Sequence, residues 1–440
     1  MIVDDETDVL ALFNYIQDKK SLVIPILADS QLHVSTNEIS CIYVYTEDDI
    51  ERLVPIKHTE QLRGFSEHVQ RFLELDNIFV YDKKQWLQIG GNEAVWDVKT
   101  LWWYTYNESY DESHYPTTAH SFYWRRHTTL PYINTIVPLM QHLQMCQKIR
   151  KYAWPMCINA ELSKSYLQFN ETYPKVFATI ERNGLCVNET FRMPELVRNN
   201  LVYSNYNYHT STGRPSNAYR GFNFAAMNKE DGTRAAFCSR FDRGALVEMD
   251  FDAYHVRLIA RLISYDLPAG SVHEYFGKQY FGKDELTVEE YEQSKQITFR
   301  LLYGGIDREF LSIPFFSKVN DFIYSLWNQW KTKKYIETPI LRRKITHDMI
   351  TNATANKIFN YYLQATETEV SVQKLHKIQN MLTSYKTCMI LYTYDSVLFD
   401  VPFNEAQEVL PKINEILEQG NFPVKTQVGN IYNKMKTISL

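Results

Sequence analysis

Residues 245–257 read ALVEMDFDAYHVR, and the parsing of this stretch decides the rest of the chain. Residues 245–250 have the apolar character of a strand, whereas 252–264 carry apolar residues at helical spacing. Asp250 therefore stands where a strand meets a helix. A carboxylate there opens onto a cleft without disturbing the sheet, although a lone Asp at such a junction is most often a cap or turn former. A second stretch changes the balance. Residues 387–402, TCMILYTYDSVLFDVP, read as two strands joined by a tight turn at Tyr394-Asp395-Ser396, which places Asp395 at the tip of an apolar hairpin. Two carboxylates at two strand ends can share a pair of Mg²⁺ ions. Ions about 4 Å apart stabilise both the attacking and the leaving oxygen of a phosphoryl transfer.

Between these stretches, residues 288–303 predict a helix that opens on a Thr287-x-x-Glu290 capping box and stops at Gly304-Gly305. Lys295, Phe299 and Tyr303 recur on one face at i, i+4 and i+8. A lysine on that face can meet a triphosphate, and the aromatics can lie against a base and sugar. An amphipathic helix with one solvated lysine would show the same spacing. Upstream, 21–29 and 38–46 predict strands, 59–75 a helix, and 77–82 a strand followed by a short helix at 83–89, an α/β pattern that ends near 108. Residues 109–130 read as a connection, and two or three helices follow to about 180. Beyond the hairpin come a helix over 404–418 and a strand-like tail.

Composition narrows the class. The chain has 440 residues, enough for two to four domains. Lys and Arg total 47 against 52 Asp and Glu, a formal charge of −5. That excludes a uniformly basic DNA-coating protein and leaves room for a locally basic cleft. The six cysteines show no C-x-x-C pair, which argues against a zinc site or disulfide framework and fits a reducing cytoplasm. The N-terminus is acidic and unlike a secretory signal, and no apolar run approaches the ~18–20 residues of a membrane span.

The order and spacing of these motifs resemble family A, the DNA polymerase I family, in a compact form similar to bacteriophage members. Residues 247–257 resemble its motif A, Lys295 to Gly304 its motif B, and Tyr394-Asp395-Ser396 its motif C. Thr212-Gly213-Arg214-Pro215-Ser216, Asn223 and Arg234 resemble its TGR-S, N and R run. Residues 180–184 resemble its E-x-x-G entry, Asn360 and Gln364 its minor-groove pair, and Ser271-Val272-His273 its D-I-H phosphate contact. The resemblance implies that Asp250, Asp395 and the Phe251 carbonyl hold two Mg²⁺ ions. It implies that Lys295 and His273 hold the incoming triphosphate, while Phe299 and Tyr303 line the nucleotide pocket. Arg214, Asn223, Arg257, Asn360 and Gln364 would contact primer–template DNA or brace the site. Four positions depart from the family: His255 stands where it has a Glu that helps exclude ribonucleotides, Tyr291 where it has a phosphate-binding Arg, and Ser396 and Tyr394 where it has Glu and His.

The implied architecture is α+β: a right-hand palm (176–267 and 351–440) and fingers (268–350) with a reduced or rearranged thumb. An RNase H-like α/β domain of exonuclease type would precede it over 1–108, joined by a helical connection, 109–175, that could substitute for the thumb. The Gly184–Thr212 interval is too short for the family's two long thumb helices, so a processivity partner is a further expectation. The exonuclease carboxylates look degenerate. Asp29-Ser30-Gln31 lacks the expected Glu, Asp82 stands alone with Trp86 near an expected Asp, and Asp97 is a remnant. The basic run of Lys331, Lys333, Lys334, Arg342, Arg343 and Lys344 offers a phosphate-contacting patch. The implied activity is Mg²⁺-dependent, template-directed DNA synthesis from deoxynucleotides in phage replication, without proofreading. Two rivals stay open. A single-subunit RNA polymerase shares the Lys…Tyr-Gly spacing. A silent replication scaffold is disfavoured by both aspartates and Lys295.

Overall fold

The computed structural model describes residues 1–28, 32–58, 64–106, 138–159, 161–217, 222–227, 232–268 and 270–440. The chain forms two compact units, Met1–Gly184 with Met193–Asn205, and Leu185–Arg192 with Tyr206–Leu440.

The first unit is built on a five-stranded sheet in the order Glu51–Pro55, Ile39–Thr46, Ser21–Leu27, Phe79–Val80, Trp96–Asp97. The first three strands pair antiparallel, and the last two continue the sheet in parallel. The central strands are apolar at almost every position because both faces are covered. Leu22, Ile24 and Ile26 point to one core with Tyr43 and Tyr45, whereas Val23 and Leu27 point to the other with Val9, Leu12, Phe13 and Trp86. Trp86 is thus a core residue, its indole N–H donating to the Asn92 carbonyl at 3.0 Å.

Three expectations need correction here. The helix Leu139–Asn159, expected as part of a connection, is a core layer of this unit: Leu143, Cys146, Ile149, Ala153 and Trp154 bury against the sheet. The two helices expected across 161–183 are one, Lys164–Asn183, running through Pro174, so the 175/176 boundary falls inside a helix. Proline removes one backbone hydrogen bond there, and burial on both sides of it, by Phe169, Tyr173, Val176 and Phe177, holds the helix together. The helix expected over 59–75 is only a 3₁₀ turn, Ser66–His68, and a short helix, Val69–Leu73. Residues 59–63, the Asp29-Ser30-Gln31 run and the 109–130 connection lie outside the described residues.

The second unit is α+β. Its antiparallel sheet runs Cys388–Thr393, Ser396–Pro402, Gly244–Phe251, Val424–Gly429, Lys436–Ile438, so the strand carrying Asp250 is central. Against the sheet lie the helices Tyr254–Leu262, Ala355–Leu382 and Phe403–Glu418. A second helical group, Val272–Phe281, Val288–Gly304 and Pro314–Lys333, packs on an aromatic cluster of Phe276, Phe315 and Phe316. The first two of these helices approach closely at Gly277, where a Cβ would meet Ser294 Cβ at 3.1 Å. The Thr287/Glu290 capping box is present as read from the sequence.

Candidate active site

Asp250 ends its strand directly opposite Ser396 on one neighbour and Lys425 on the other. The turn Tyr394-Asp395 closes the hairpin between Thr393 and Ser396, and the Phe251 amide donates to the Asp395 carbonyl at 3.0 Å. Sheet register therefore brings the two aspartates side by side. The turn requires positive φ at Tyr394 (62°), a costly conformation for a bulky residue. The Arg214 guanidinium lies 3.7 Å from the Tyr394 ring centroid and holds it there. Ser396, where the family has Glu, is tied to the Thr393 hydroxyl at 2.6 Å. Although the turn reaches solvent, surrounding protein desolvates the Asp395 carboxyl. Burial first, and the Glu367 carboxylate second, push its pKa up.

The helix Val288–Gly304 supplies a second wall. Phe299 and Tyr303 lie nearly parallel, centroids 6.1 Å apart, and Phe299 is 39% exposed. His273 packs beside Phe299 at 5.7 Å, with its backbone carbonyl held by the Ser294 hydroxyl at 2.7 Å. The His273 ring is buried, its Nδ1 has no hydrogen-bond partner among the described residues, and burial pushes its pKa down. Lys295 lies 4.6 Å over the Tyr291 ring and pairs with Glu292 at 2.7 Å. Tyr291 itself meets the Ser271 hydroxyl at 3.2 Å. His273, Tyr291, Lys295, Phe299 and Tyr303 thus share one face.

A third wall comes from the helix Ala355–Leu382. The Asn360 amide donates to the Tyr303 carbonyl at 3.3 Å, leaving its buried Oδ1 without a partner, and Gln364 follows one turn on. Glu367 is the residue that sequence reading missed. It is 1% exposed, with Oε1 3.2 Å from His255 Nε2 and Oε2 3.3 Å from Arg214 Nε. His255 Nδ1 in turn contacts the Tyr303 hydroxyl. The signal was present: Asn360, Gln364, Glu367 and Ser371 form a polar stripe at helical spacing on a helix otherwise largely buried.

Other expected residues fall differently. Arg257 is spent on bracing, donating to the Asp252 carbonyl and carboxylate and to the Gly270 carbonyl at 3.0–3.1 Å. Asn223 is exposed at the start of a 3₁₀ turn. Arg234 packs on Tyr432 beside Glu248. In the basic run, Arg343 is buried and donates to the Ser211 carbonyl at 2.6 Å, so it is not a free phosphate contact, whereas the other five cations are exposed.

No family model matches the chain. In sequence it is 24% identical over 302 residues to DNA polymerase I of Synechocystis sp., covering 56% of this chain and 30% of that protein. It is 23% identical over 277 residues to the thermostable DNA polymerase I of Thermus filiformis, covering 54% of this chain and 33% of that one. The chain therefore matches about a third of the length of these relatives. Its fold matches the POL domain of Pol1 from M. smegmatis, solved in complex with DNA primer-template and dNTP. That match has a TM-score of 0.74 and 13% identity, and it covers 99% of this chain and 100% of that one. The chain is thus similar in sequence to DNA polymerase I proteins over about half its length, and it has the fold of a DNA polymerase I polymerase domain.

Proposed function

We propose that this chain is a DNA-directed DNA polymerase that adds deoxynucleotides to a primer 3′-hydroxyl. The observation that carries this reading is the sheet register that sets Asp395 beside Asp250, in a unit that also groups His273, Lys295, Phe299 and Tyr303.

The donor set fits divalent cations. Asp250 and Asp395 are hard oxygen ligands, with the Phe251 carbonyl as a further candidate, and burial first and the Glu367 carboxylate second raise the Asp395 pKa. Two Mg²⁺ ions held there would activate the primer hydroxyl and neutralise the leaving pyrophosphate. The protein's own part is positioning. Lys295 exchanges an exposed i,i+3 partner, worth little in water, for the triphosphate. The open Nδ1 of His273 faces the same task, and Phe299 offers its exposed ring to the nucleotide. Arg214, Asn360, Gln364 and the exposed Asn223 form the candidate primer–template contacts. Minor-groove contacts check base-pair shape, because acceptors there are nearly alike for all pairs.

The first unit supports the absence of proofreading. Asp82 caps the helix Lys83–Gln88 through the Gln85 amide and pairs with Lys99 at 3.0 Å. Asp97 accepts from the Lys83 and Thr100 amides at 3.2 and 3.1 Å. Both carboxylates are committed to structure. The likeness to compact bacteriophage forms supports a role in phage replication, and the lack of long thumb helices in the Gly184–Thr212 interval supports a processivity partner. Among the described residues, no helix is long and apolar enough to cross a membrane.

Primer extension on a primed DNA template, with deoxynucleotides or ribonucleotides and Mg²⁺, tests the reading. Templated deoxynucleotide addition by the wild type, lost in Asp250→Ala and Asp395→Ala, is the expected result. Extension that survives both substitutions, or a wild type that binds DNA without extending it, overturns it. Preferential ribonucleotide addition would transfer the assignment to an RNA polymerase.

A further inference from the structure

We propose that Glu367 is a positioning residue that sets sugar selectivity, acting through His255 on Tyr303. The inference rests on the polymerase reading and adds to it a residue from outside the recognised motifs.

Glu367 joins three separate elements. It lies on the helix Ala355–Leu382, His255 on Tyr254–Leu262, and Tyr303 at the end of Val288–Gly304. Its buried carboxylate sits 3.2 Å from His255 Nε2, and the other ring nitrogen of His255 meets the Tyr303 hydroxyl. A carboxylate only accepts hydrogen bonds. An Nε2 lone pair facing it would be repelled, so Glu367 selects the tautomer that carries its proton on Nε2. In the neutral ring Nδ1 is then the acceptor, and the Tyr303 hydroxyl must be the donor. Burial pushes the Tyr303 phenol up to about 12, which keeps that proton in place.

The consequence falls on the pocket. Tyr303 and Phe299 lie nearly parallel, at an interplanar angle of 11°, and Tyr303 is the member of the pair that reaches His255, five residues beyond Asp250. A nucleotide with its phosphates at His273 and Lys295 would carry its sugar past this edge toward the aspartates. There, a fixed phenol whose proton is already given to His255 has no hydrogen bond to offer a 2′-hydroxyl. Without Glu367 the imidazole is free to place its proton on Nδ1. The Tyr303 hydroxyl must then turn, and both the room and the donor for a 2′-hydroxyl appear. Glu367 also faces Arg214, whose guanidinium packs on Tyr394 beside Asp395, so a purely structural role would act on the chemical step instead.

The two roles separate in single-nucleotide incorporation kinetics. The variants are Glu367→Gln, Glu367→Ala, His255→Ala and the Glu367→Ala/His255→Ala double, with kcat and KM measured for deoxy- and ribonucleotide triphosphates. The expected result is a fall of about tenfold or more in deoxynucleotide preference for Glu367→Ala. Retention of preference is expected in Glu367→Gln, whose amide oxygen can face Nε2–H as the carboxylate does, and the double variant should fall no further than His255→Ala. Equal loss of kcat for both sugars with preference unchanged overturns the proposal, as do multiplicative losses in the double variant. A wild type that extends primers without preferring deoxynucleotides also overturns it. A wild type that extends no primer overturns the polymerase reading itself.

Discussion

Removing one hydroxyl, in Tyr206→Phe, tests how the hairpin that carries Asp395 is held. The strand Cys388–Thr393 is the edge of its sheet and carries a bulge between Met389 and Leu391, so the outward backbone groups of Tyr392 have no strand neighbour. The Tyr206 hydroxyl serves both. It donates to the Tyr392 carbonyl and accepts from the Tyr392 amide, each at 2.9 Å. Tyr206 and Tyr392 are 3% and 2% exposed, so water does not readily replace it. Two buried backbone groups left without partners, at about 1–1.5 kcal/mol each, cost about 2–3 kcal/mol. For a unit of this size that lowers Tm by about 5–10 °C. Calorimetry reads the shift, and urea unfolding should show a lower midpoint at unchanged slope. Because Asp395 follows Tyr392 by three residues, kcat should fall while the nucleotide KM holds. A Tm change below about 1 °C would refute the reasoning, since it would mean that the edge strand does not depend on this hydroxyl.

Three further outcomes follow from named residues. Phe299→Tyr places a hydroxyl on the exposed pocket wall, and the family resemblance implies easier dideoxynucleotide termination; an unchanged ratio of dideoxy to deoxy incorporation would count against placing Phe299 in the pocket. In the first unit, burial first and the Asp82 carboxylate second raise the Asp97 pKa, so stability is lost as pH climbs from the ordinary Asp range to about 7. The Asp82 pKa is lowered because Lys99 and Lys84 outweigh burial, so its contribution is lost only as pH falls toward about 2. Asp97→Asn should therefore flatten the decline in urea midpoint between about pH 5 and pH 8. Lys84→Met removes the 2.7 Å ion-pair partner of Glu181, 1% exposed, although Gln88 still donates to it, and should cost roughly 3–5 kcal/mol, whereas the Lys84→Met/Glu181→Leu double should recover part of it.

The sequence was most informative where local chemistry alone decides the structure. The capping box at Thr287, the hairpin turn at Tyr394-Asp395 and the strand-to-helix junction at Asp250 all depend on residues a few positions apart, and all were read correctly. The helix Leu139–Asn159 was found, but its role was not, because the face it buries is chosen by sheet strands distant in sequence. The helix Lys164–Asn183 reads as two because its polar residues near 170–171 interrupt the apolar pattern, yet packing along its length keeps it whole through Pro174. Arg257 and Arg343 look alike as site cations, yet the partners that consume them, Asp252 and Gly270 in one case and Ser211 in the other, are tertiary contacts. Glu367 was passed over because a mid-helix glutamate usually faces water.

The two pairs of aspartates show why residue type at a strand end does not by itself make a site. Asp82 and Asp97 stand at strand ends as Asp250 and Asp395 do. In the first unit, backbone amides of two helix starts and the Lys99 ammonium occupy the carboxylate oxygens, although burial and the Asp82 carboxylate still raise the Asp97 pKa. In the second unit the leading charged neighbour of Asp395 is another carboxylate, Glu367, with His255 and Arg214 opposing it less strongly. That arrangement costs stability in the absence of a cation, because it crowds like charges in a desolvated place. Such a cost persists where it supports function, which is the ground for proposing the Asp250–Asp395 edge as a divalent-cation site. In the first unit the oxygens of Asp82 and Asp97 are already taken by helix-start amides and by Lys99, so a cation there would have to displace them.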